Sequence, residues 1–220
     1  MSIEHTLIFT GGDAPHANVH PHLPDGALII AADSGYTHAV QSGQIPHLLV
    51  GDMDSISPSH LADARTRDIE IIEFASEKDL TDTEIALSAA IERGSTAITI
   101  VSGGGDRFDH ILGMLHSLAS FSALAQTTVF IGTARITFLA AGTSCTIAAV
   151  ENDTISLIPL GGDVVVTTTG LQWNLTEDTL EAFASRGVSN RATNSAVSIR
   201  SSAGTLAIIQ PFFLNQGANL

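Results

Sequence analysis

Up to residue 131 the apolar positions come in short runs, at 6–9, 27–32, 48–50, 69–74, 97–101 and 128–131, with Glu70 and Glu73 interrupting the fourth. Runs of that length, without polar alternation, predict strands buried on both faces. Between them, 36–41, 58–65, 82–93 and 109–124 carry helical spacing. The third is the clearest: Thr81 and Glu84 form a capping-box pattern, Ile85, Ala86, Ala89 and Ala90 share a face, and Gly94 follows the end. Strands alternating with helices predict a parallel sheet with helices packed on it.

Near residue 135 the pattern changes. Short runs rich in Val, Ile and Thr follow at 136–140, 146–150, 154–159, 164–168, 197–200 and 206–209, separated by Gly, Asn and Asp. Helical spacing survives only at 177–185. Many short strands with turn residues between them predict an antiparallel sandwich or barrel. The expected organisation is an α/β, Rossmann-like domain with a mostly parallel sheet over 1–134, then an all-β C-terminal sandwich over 135–220.

Charge narrows the function. Acids number 23 against 9 Lys plus Arg, a net charge of −14, with no basic patch for a phosphate backbone. Nucleic-acid binding is therefore not expected. One cysteine, Cys145, excludes an intrachain disulfide and a Cys-rich zinc site, and is expected to be structural. The N-terminus lacks the basic and apolar regions of a signal peptide, and no apolar run reaches about 18 residues. The expectation is a cytoplasmic protein with no membrane span.

In a parallel sheet every strand points its C-terminal end to one edge, where open α/β folds bind ligands. Asp33 follows the second predicted strand and Gly51-Asp52-Met53-Asp54-Ser55 the third. Lys78-Asp79-Leu80-Thr81-Asp82 lies just past the fourth, and the Gly103-Gly104-Gly105 loop follows the fifth. Four loops thus converge on one rim. Asp52 and Asp54, two apart, share a face if the segment is extended, and two carboxylates can grip a divalent cation. The same residues also suit an ordinary acidic turn. Asp79, Thr81 and Asp82 open a helix, where acids favour the dipole and Thr is a good cap; a helix start also attracts phosphate. Asp82 is then a further metal ligand, and Lys78, the only lysine, a polyphosphate contact. Glycine at 103–105 lets backbone N–H groups approach a ligand, although no P-loop Gly-Lys-Ser/Thr follows. Arg107 is placed to pair with phosphate, and Asp109 to accept from an amine or to cap the helix. An acidic chain that holds an anionic nucleotide needs a metal, so the set points to chemistry on ATP. His16, His20 and His22, flanked by Pro15, Pro21 and Pro24, read as a solvated loop. His110 and His116, six apart on one helix, are not expected to share a site.

Taken in order, these segments resemble thiamine pyrophosphokinases. The likeness runs through Ala31-Ala32-Asp33-Ser34-Gly35, the Asp52, Lys78 and Gly104 segments, then Ser156-Leu157-Ile158-Pro159-Leu160, Thr169-Gly170-Leu171-Gln172-Trp173 and Ser185-Arg186-Gly187-Val188-Ser189-Asn190. Ser34 stands where many members have Gly, and Met53 where Phe is frequent. The resemblance implies transfer of diphosphate from ATP to thiamine, giving AMP and thiamine diphosphate. It implies Mg²⁺ held by Asp52, Asp54 and Asp82, with Lys78, Asp79 and Thr81 in the catalytic segment. The nucleotide would be met by Asp33, Ser34, Gly103, Gly104, Gly105 and Arg107. The thiamine pocket would hold Asp109, Trp173, Ser189 and Asn190, in a homodimer with sites between subunits. Two alternatives stay open: a metal-dependent glycosyltransferase, which also uses Asp-x-Asp, and a nucleotide or thiamine sensor without turnover. Which carboxylate takes the hydroxyl proton is not readable from the residues.

Overall fold

A computed structural model describes residues 4–19, 24–75, 77, 79–105 and 107–216 of the protein. Lys78, His20 and His22 lie outside the described residues, as does Asp106. The chain divides into two compact units: residues up to Met114 with Val129–Gly132, and Leu115–Thr128 with the chain from Thr133 onward.

The first unit is built on parallel strands β1 (His5–Phe9), β2 (Leu28–Ala32), β3 (Leu48–Gly51), β4 (Glu70–Glu73) and β5 (Ala97–Ser102), in the order β5-β1-β2-β3-β4. All five residues of β2 are buried, as an interior parallel strand requires. The helices are α1 (Gly35–Gln41), α2 (Pro58–Thr66), α3 (Asp82–Glu92) and α4 (Phe108–Phe121). Local chemistry sets their starts. The Ser57 hydroxyl accepts from the His60 N–H at 3.2 Å with Pro58 behind it, and the Thr81 hydroxyl accepts from the Glu84 N–H at 3.3 Å. Three successive strands, β2 to β4, progress to one side of β1, and β5 then returns to its other side. The sheet's topological switch point therefore lies between β1 and β5, where α/β folds of this kind open a crevice.

The second unit is antiparallel. Its strands are β7 (Ala134–Leu139), β8 (Ser144–Ala148), β9 (Thr154–Thr169), β10 (Asp178–Leu180), β11 (Asn190–Arg191) and β12 (Ala196–Gln210); β6 (Gln126–Ile131) precedes them. The order is β10-β9-β12-β7, with β8 on β12 and β11 on β9. Ile155, Leu157, Val164, Val197, Ile199 and Leu206 lie at the centre of its core. Cys145 is half-buried against that core, and burial pushes its thiol above the ordinary value.

Two expectations change here. The runs at 154–159 and 164–168 are one strand, β9, and those at 197–200 and 206–209 are one strand, β12. Each continues through its glycines because the two long strands pair with each other. The excess residues are absorbed as register shifts between Ser201 and Thr205. Gly204 is required there: its φ is +78°, and a Cβ would sit 2.4 Å from the Asp163 carbonyl oxygen. The helix expected at 177–185 is instead β10 followed by turns. Asp178, Thr179 and Leu180 pair with Val166, Val165 and Val164, and Arg186 is ion-paired with Asp178. A helix of so few residues is marginal alone, and a free strand edge offers it ladder bonds.

Candidate active site

Asp33 leaves the end of β2 in a left-handed conformation, φ 47°, with its N–H bonded to the Val50 carbonyl at 2.8 Å. Its carboxyl is buried; Oδ2 accepts from the Ser55 hydroxyl, while Oδ1 has no hydrogen-bond partner among the described residues. Asp52 follows β3, and Asp82 opens α3. One carboxylate oxygen from each of Asp33, Asp52 and Asp82 lies within 4.8 Å of the other two. Burial pushes the Asp33 carboxyl above its ordinary value, and the Asp82 and Asp52 charges push the same way against the Ser55 bond.

Asp54 lies outside that trio. The extended geometry expected for Asp52 and Asp54 is not what joins them. Met53 between them is left-handed, φ 63°, and its side chain is buried with Tyr36, Leu49 and Ile56. This plug makes a tight turn in which the Asp54 N–H bonds Asp52 Oδ1 at 3.2 Å. Contact with the Asp52 carboxylate raises the exposed Asp54 carboxyl above its ordinary value.

These groups open onto a cleft of roughly 590 Å³ whose lining also includes Ser34, Ser55, Thr81, Ser102, Gly104 and Arg107. It lies at the switch point between β1 and β5. Asp79, Gly103 and Gly105 are not among its lining residues. Gly103 serves from behind: a Cβ there would stand 2.0 Å from the Asp13 carbonyl oxygen and 2.4 Å from that of Ala14. A Cβ on Gly12 would likewise stand 2.5 Å from the Gly104 oxygen. Two glycine loops thus pack backbone to backbone. Arg107 Nε and Nη2 bond both oxygens of Asp109, at 3.0 and 2.7 Å, in an exposed pair. That guanidinium holds the Asp109 carboxyl well below the usual carboxylate range.

Sequence reasoning missed Thr10, Gly11, Gly12, His110, Ile111 and Met114, all of which line the cleft. The Gly-Gly pair directly after the first strand is the signal that points to this loop. Thr10 Oγ1 is buried without a partner among the described residues, a second such atom in the cleft. His38, buried on α1, meets the Gly12 carbonyl at 3.1 Å through Nε2. A carbonyl only accepts, so Nε2 carries the proton and His38 anchors the loop from behind.

In the second unit, Trp173, Ser189 and Asn190 come together. The Asn190 side chain is bonded to both backbone polar groups of Trp173, and the Ser189 N–H bonds the Ser156 hydroxyl at 3.0 Å. Trp173 is 58% exposed, so its indole is not core.

The family model described as thiamin pyrophosphokinase, catalytic domain, matches residues 21–131, and that of the thiamin pyrophosphokinase vitamin B1 binding domain matches 144–206. Thiamine pyrophosphokinase 1 of Oryza sativa subsp. japonica is 28% identical over 166 residues, 71% of this chain and 62% of that protein. Thiamine pyrophosphokinase of Bacillus subtilis (strain 168) is 31% identical over 97 residues, 44% of this chain and 45% of that protein. The matched stretches thus span less than two thirds of either curated relative. Among solved structures, a Bacillus subtilis thiamine pyrophosphokinase superposes with a TM-score of 0.83 at 24% identity, covering 94% of this chain and 98% of that one. A yeast thiamin pyrophosphokinase gives 0.71 at 15% identity, covering 98% and 90%. At those identities the likeness is one of fold.

Proposed function

Since this chain belongs to the thiamin pyrophosphokinase family, we propose that it transfers the diphosphoryl group of Mg-ATP to the hydroxyl of thiamine, releasing AMP and thiamine diphosphate. The observation that carries this reading is the convergence of Asp33, Asp52 and Asp82 in the cleft at the switch point. The donor set fits Mg²⁺: all three groups are oxygen ligands, and Asp33 Oδ1 is buried with no hydrogen-bond partner among the described residues. Asp33, Asp52 and Asp82 would hold the ion, with Asp54 beside them at the rim. When bound, it would neutralise charge on the polyphosphate oxygens.

The chain's own residues supply the rest. Ser55 fixes the Asp33 carboxylate, and Met53 anchors the turn that carries Asp52 and Asp54. The two glycine loops leave backbone close to the phosphates, and the Thr10 hydroxyl faces the same space. Arg107 meets the transferred phosphoryl groups by exchanging Asp109 for phosphate oxygens, since a guanidinium suits both in the same bidentate geometry. Lys78 keeps its polyphosphate role on sequence grounds. The thiamine oxygen bonds the β-phosphorus as the bridge to the α-phosphate breaks, and its proton passes to a rim carboxylate. Positioning and charge neutralisation carry such a transfer. Trp173 offers an exposed indole to the cationic thiazolium or flat aminopyrimidine, with Ser189 beside it. In this reading two copies of the chain form a homodimer whose shared sites bring Asp52 and Trp173 to the same substrate. A cytoplasmic location, where ATP is supplied, belongs to this reading; among the described residues no helix is long and apolar enough to cross a membrane.

Incubation with Mg-ATP and thiamine, followed by chromatography, tests this: AMP and thiamine diphosphate should appear in equal amounts. ADP with thiamine monophosphate, or thiamine binding with no AMP, overturns it. D52N and D54N should both abolish turnover in a folded protein. D52N, which is inactive, mixed with W173A, which is slow at low thiamine, should give more activity at low thiamine than the two assayed apart if the sites are shared.

A further inference from the structure

Asn190 is buried, 8% exposed, and among the described residues its side chain bonds only backbone groups. Its Nδ2 donates to the Trp173 carbonyl at 2.8 Å. Its Oδ1 accepts from the Trp173 N–H at 3.2 Å and from the Arg191 N–H at 2.8 Å. The carboxamide thus closes a ring with both polar groups of one residue, as a paired strand would. Backbone bonds extend the hold: Gln172 N–H to the Arg191 carbonyl at 2.8 Å, Thr193 N–H to the Gly170 carbonyl at 2.8 Å, and a bridge between Leu171 and Ala192. Asn190 is itself pinned in β11, opposite Ile155. Ser189 just before it is left-handed, φ 60°, which leaves its side chain exposed while that of Asn190 turns inward.

An exposed loop indole ordinarily samples several rotamers, and ordering it on binding costs free energy. Here the backbone beneath the indole is already held by the Asn190 carboxamide and the bonds of its neighbours. We propose that Asn190 is a positioning residue that acts on the ligand through Trp173, fixing the peptide from which an exposed indole projects. The inference rests on the reading of Trp173 as a thiamine contact. It moves Asn190 from the lining of the pocket to its support, since its carbonyl oxygen is spent on two backbone donors.

Trp173 is the chain's only tryptophan, so time-resolved fluorescence anisotropy without ligand reads the clamp directly. N190A removes all three bonds. N190D keeps the size and both acceptor bonds and loses the donor to the Trp173 carbonyl, so it serves where N190A does not fold. Both variants should show a fast depolarising component absent from the wild type. Both should raise the thiamine KM about fivefold, the size of one lost hydrogen bond, with ATP KM and kcat unchanged. In a W173A background the same substitutions should add nothing to thiamine KM. A raised thiamine KM with unchanged anisotropy means that Asn190 touches the ligand itself, and overturns the proposal. So does an additive effect in the W173A background. A looser indole with unchanged thiamine KM, in an enzyme that still releases AMP, removes the positioning role while leaving the diphosphokinase reading intact.

Discussion

Replacing Asp33 by Asn should stabilise the metal-free protein while destroying its response to metal. Asn is the same size and tolerates the left-handed backbone, φ 47°, that Asp33 adopts. It removes a charge whose oxygen lies within 4.8 Å of those of Asp52 and Asp82. At that separation each like-charge pair costs about 1 kcal/mol at a water-like dielectric and about 3.5 kcal/mol at an effective dielectric near 20. Two such pairs disappear. Against this stands the charge-assisted bond from Ser55, worth about 1–2 kcal/mol more than its neutral replacement. At the water-like dielectric the two pairs total about 2 kcal/mol and the exchange is near neutral; at an effective dielectric near 20 they total about 7 kcal/mol, leaving a net gain of about 5 kcal/mol, or a rise of about 10–20 °C in Tm for a chain of this length. The sign with pH agrees. The Asp33 carboxyl titrates above its ordinary value, so the folded state binds this proton more tightly than the unfolded chain. Its contribution is most favourable at low pH and is lost as pH rises through the window above the ordinary value. The advantage of D33N should therefore be full at neutral pH and shrink on acidification into that window. Calorimetry in chelator at low salt measures the first effect. Titration with Mg²⁺ measures the second: wild type should gain about 2.7 kcal/mol at a hundredfold excess over Kd, and D33N much less. A metal-free D33N less stable than wild type, or one that gains as much from Mg²⁺, would refute the placement of Asp33 in the cation site.

Tyr36 is the only tyrosine, fully buried, with its hydroxyl donating to Asp63 Oδ2 at 2.7 Å. Burial and the Asp63 carboxylate push it up to about 12, so it stabilises the fold below its unfolded value near 10 and loses that contribution as pH climbs to about 12. Tyrosinate absorbance should stay absent from the native protein at pH 10; a native-state titration there contradicts the buried pair. Gly103→Ala should cost about 1–3 kcal/mol and abolish nucleotide binding, because its Cβ meets two carbonyl oxygens. Gly113→Ala on α4, with nothing within 4 Å of its Cβ, should instead stabilise by about 0.5–1 kcal/mol; equal effects would mean that the glycine loops are not in contact. His38→Ala should raise the ATP KM about fivefold by freeing the Gly12 carbonyl, and leave the thiamine KM unchanged. A shift in both constants together would assign His38 to stability instead.

Much of this was legible along the chain, because it depends on neighbours in sequence. Unbroken apolar runs located β1, β2, β3 and β5, and Thr81 with Glu84 placed the start of α3 within its own turn. Loops that follow parallel strands must reach one edge, so Asp33, Asp52, Asp82 and the glycine loop could be gathered without knowing the strand order. The reading failed where distant partners decide. Asp178–Leu180 form a strand, not the start of a helix, because β9 offers an edge, and β9 and β12 run unbroken through glycines because each has the other to pair with. Strand order made the loop after β1 a wall of the cleft, by bringing β5 back beside β1. It also chose Asp33, rather than Asp54, as the third oxygen within 4.8 Å. Composition and spacing determine which groups can reach a common rim. Which oxygens meet there, and which side chain is spent on holding a neighbour's backbone, is settled only when strand pairing and buried plugs such as Met53 fix each peptide's direction in space.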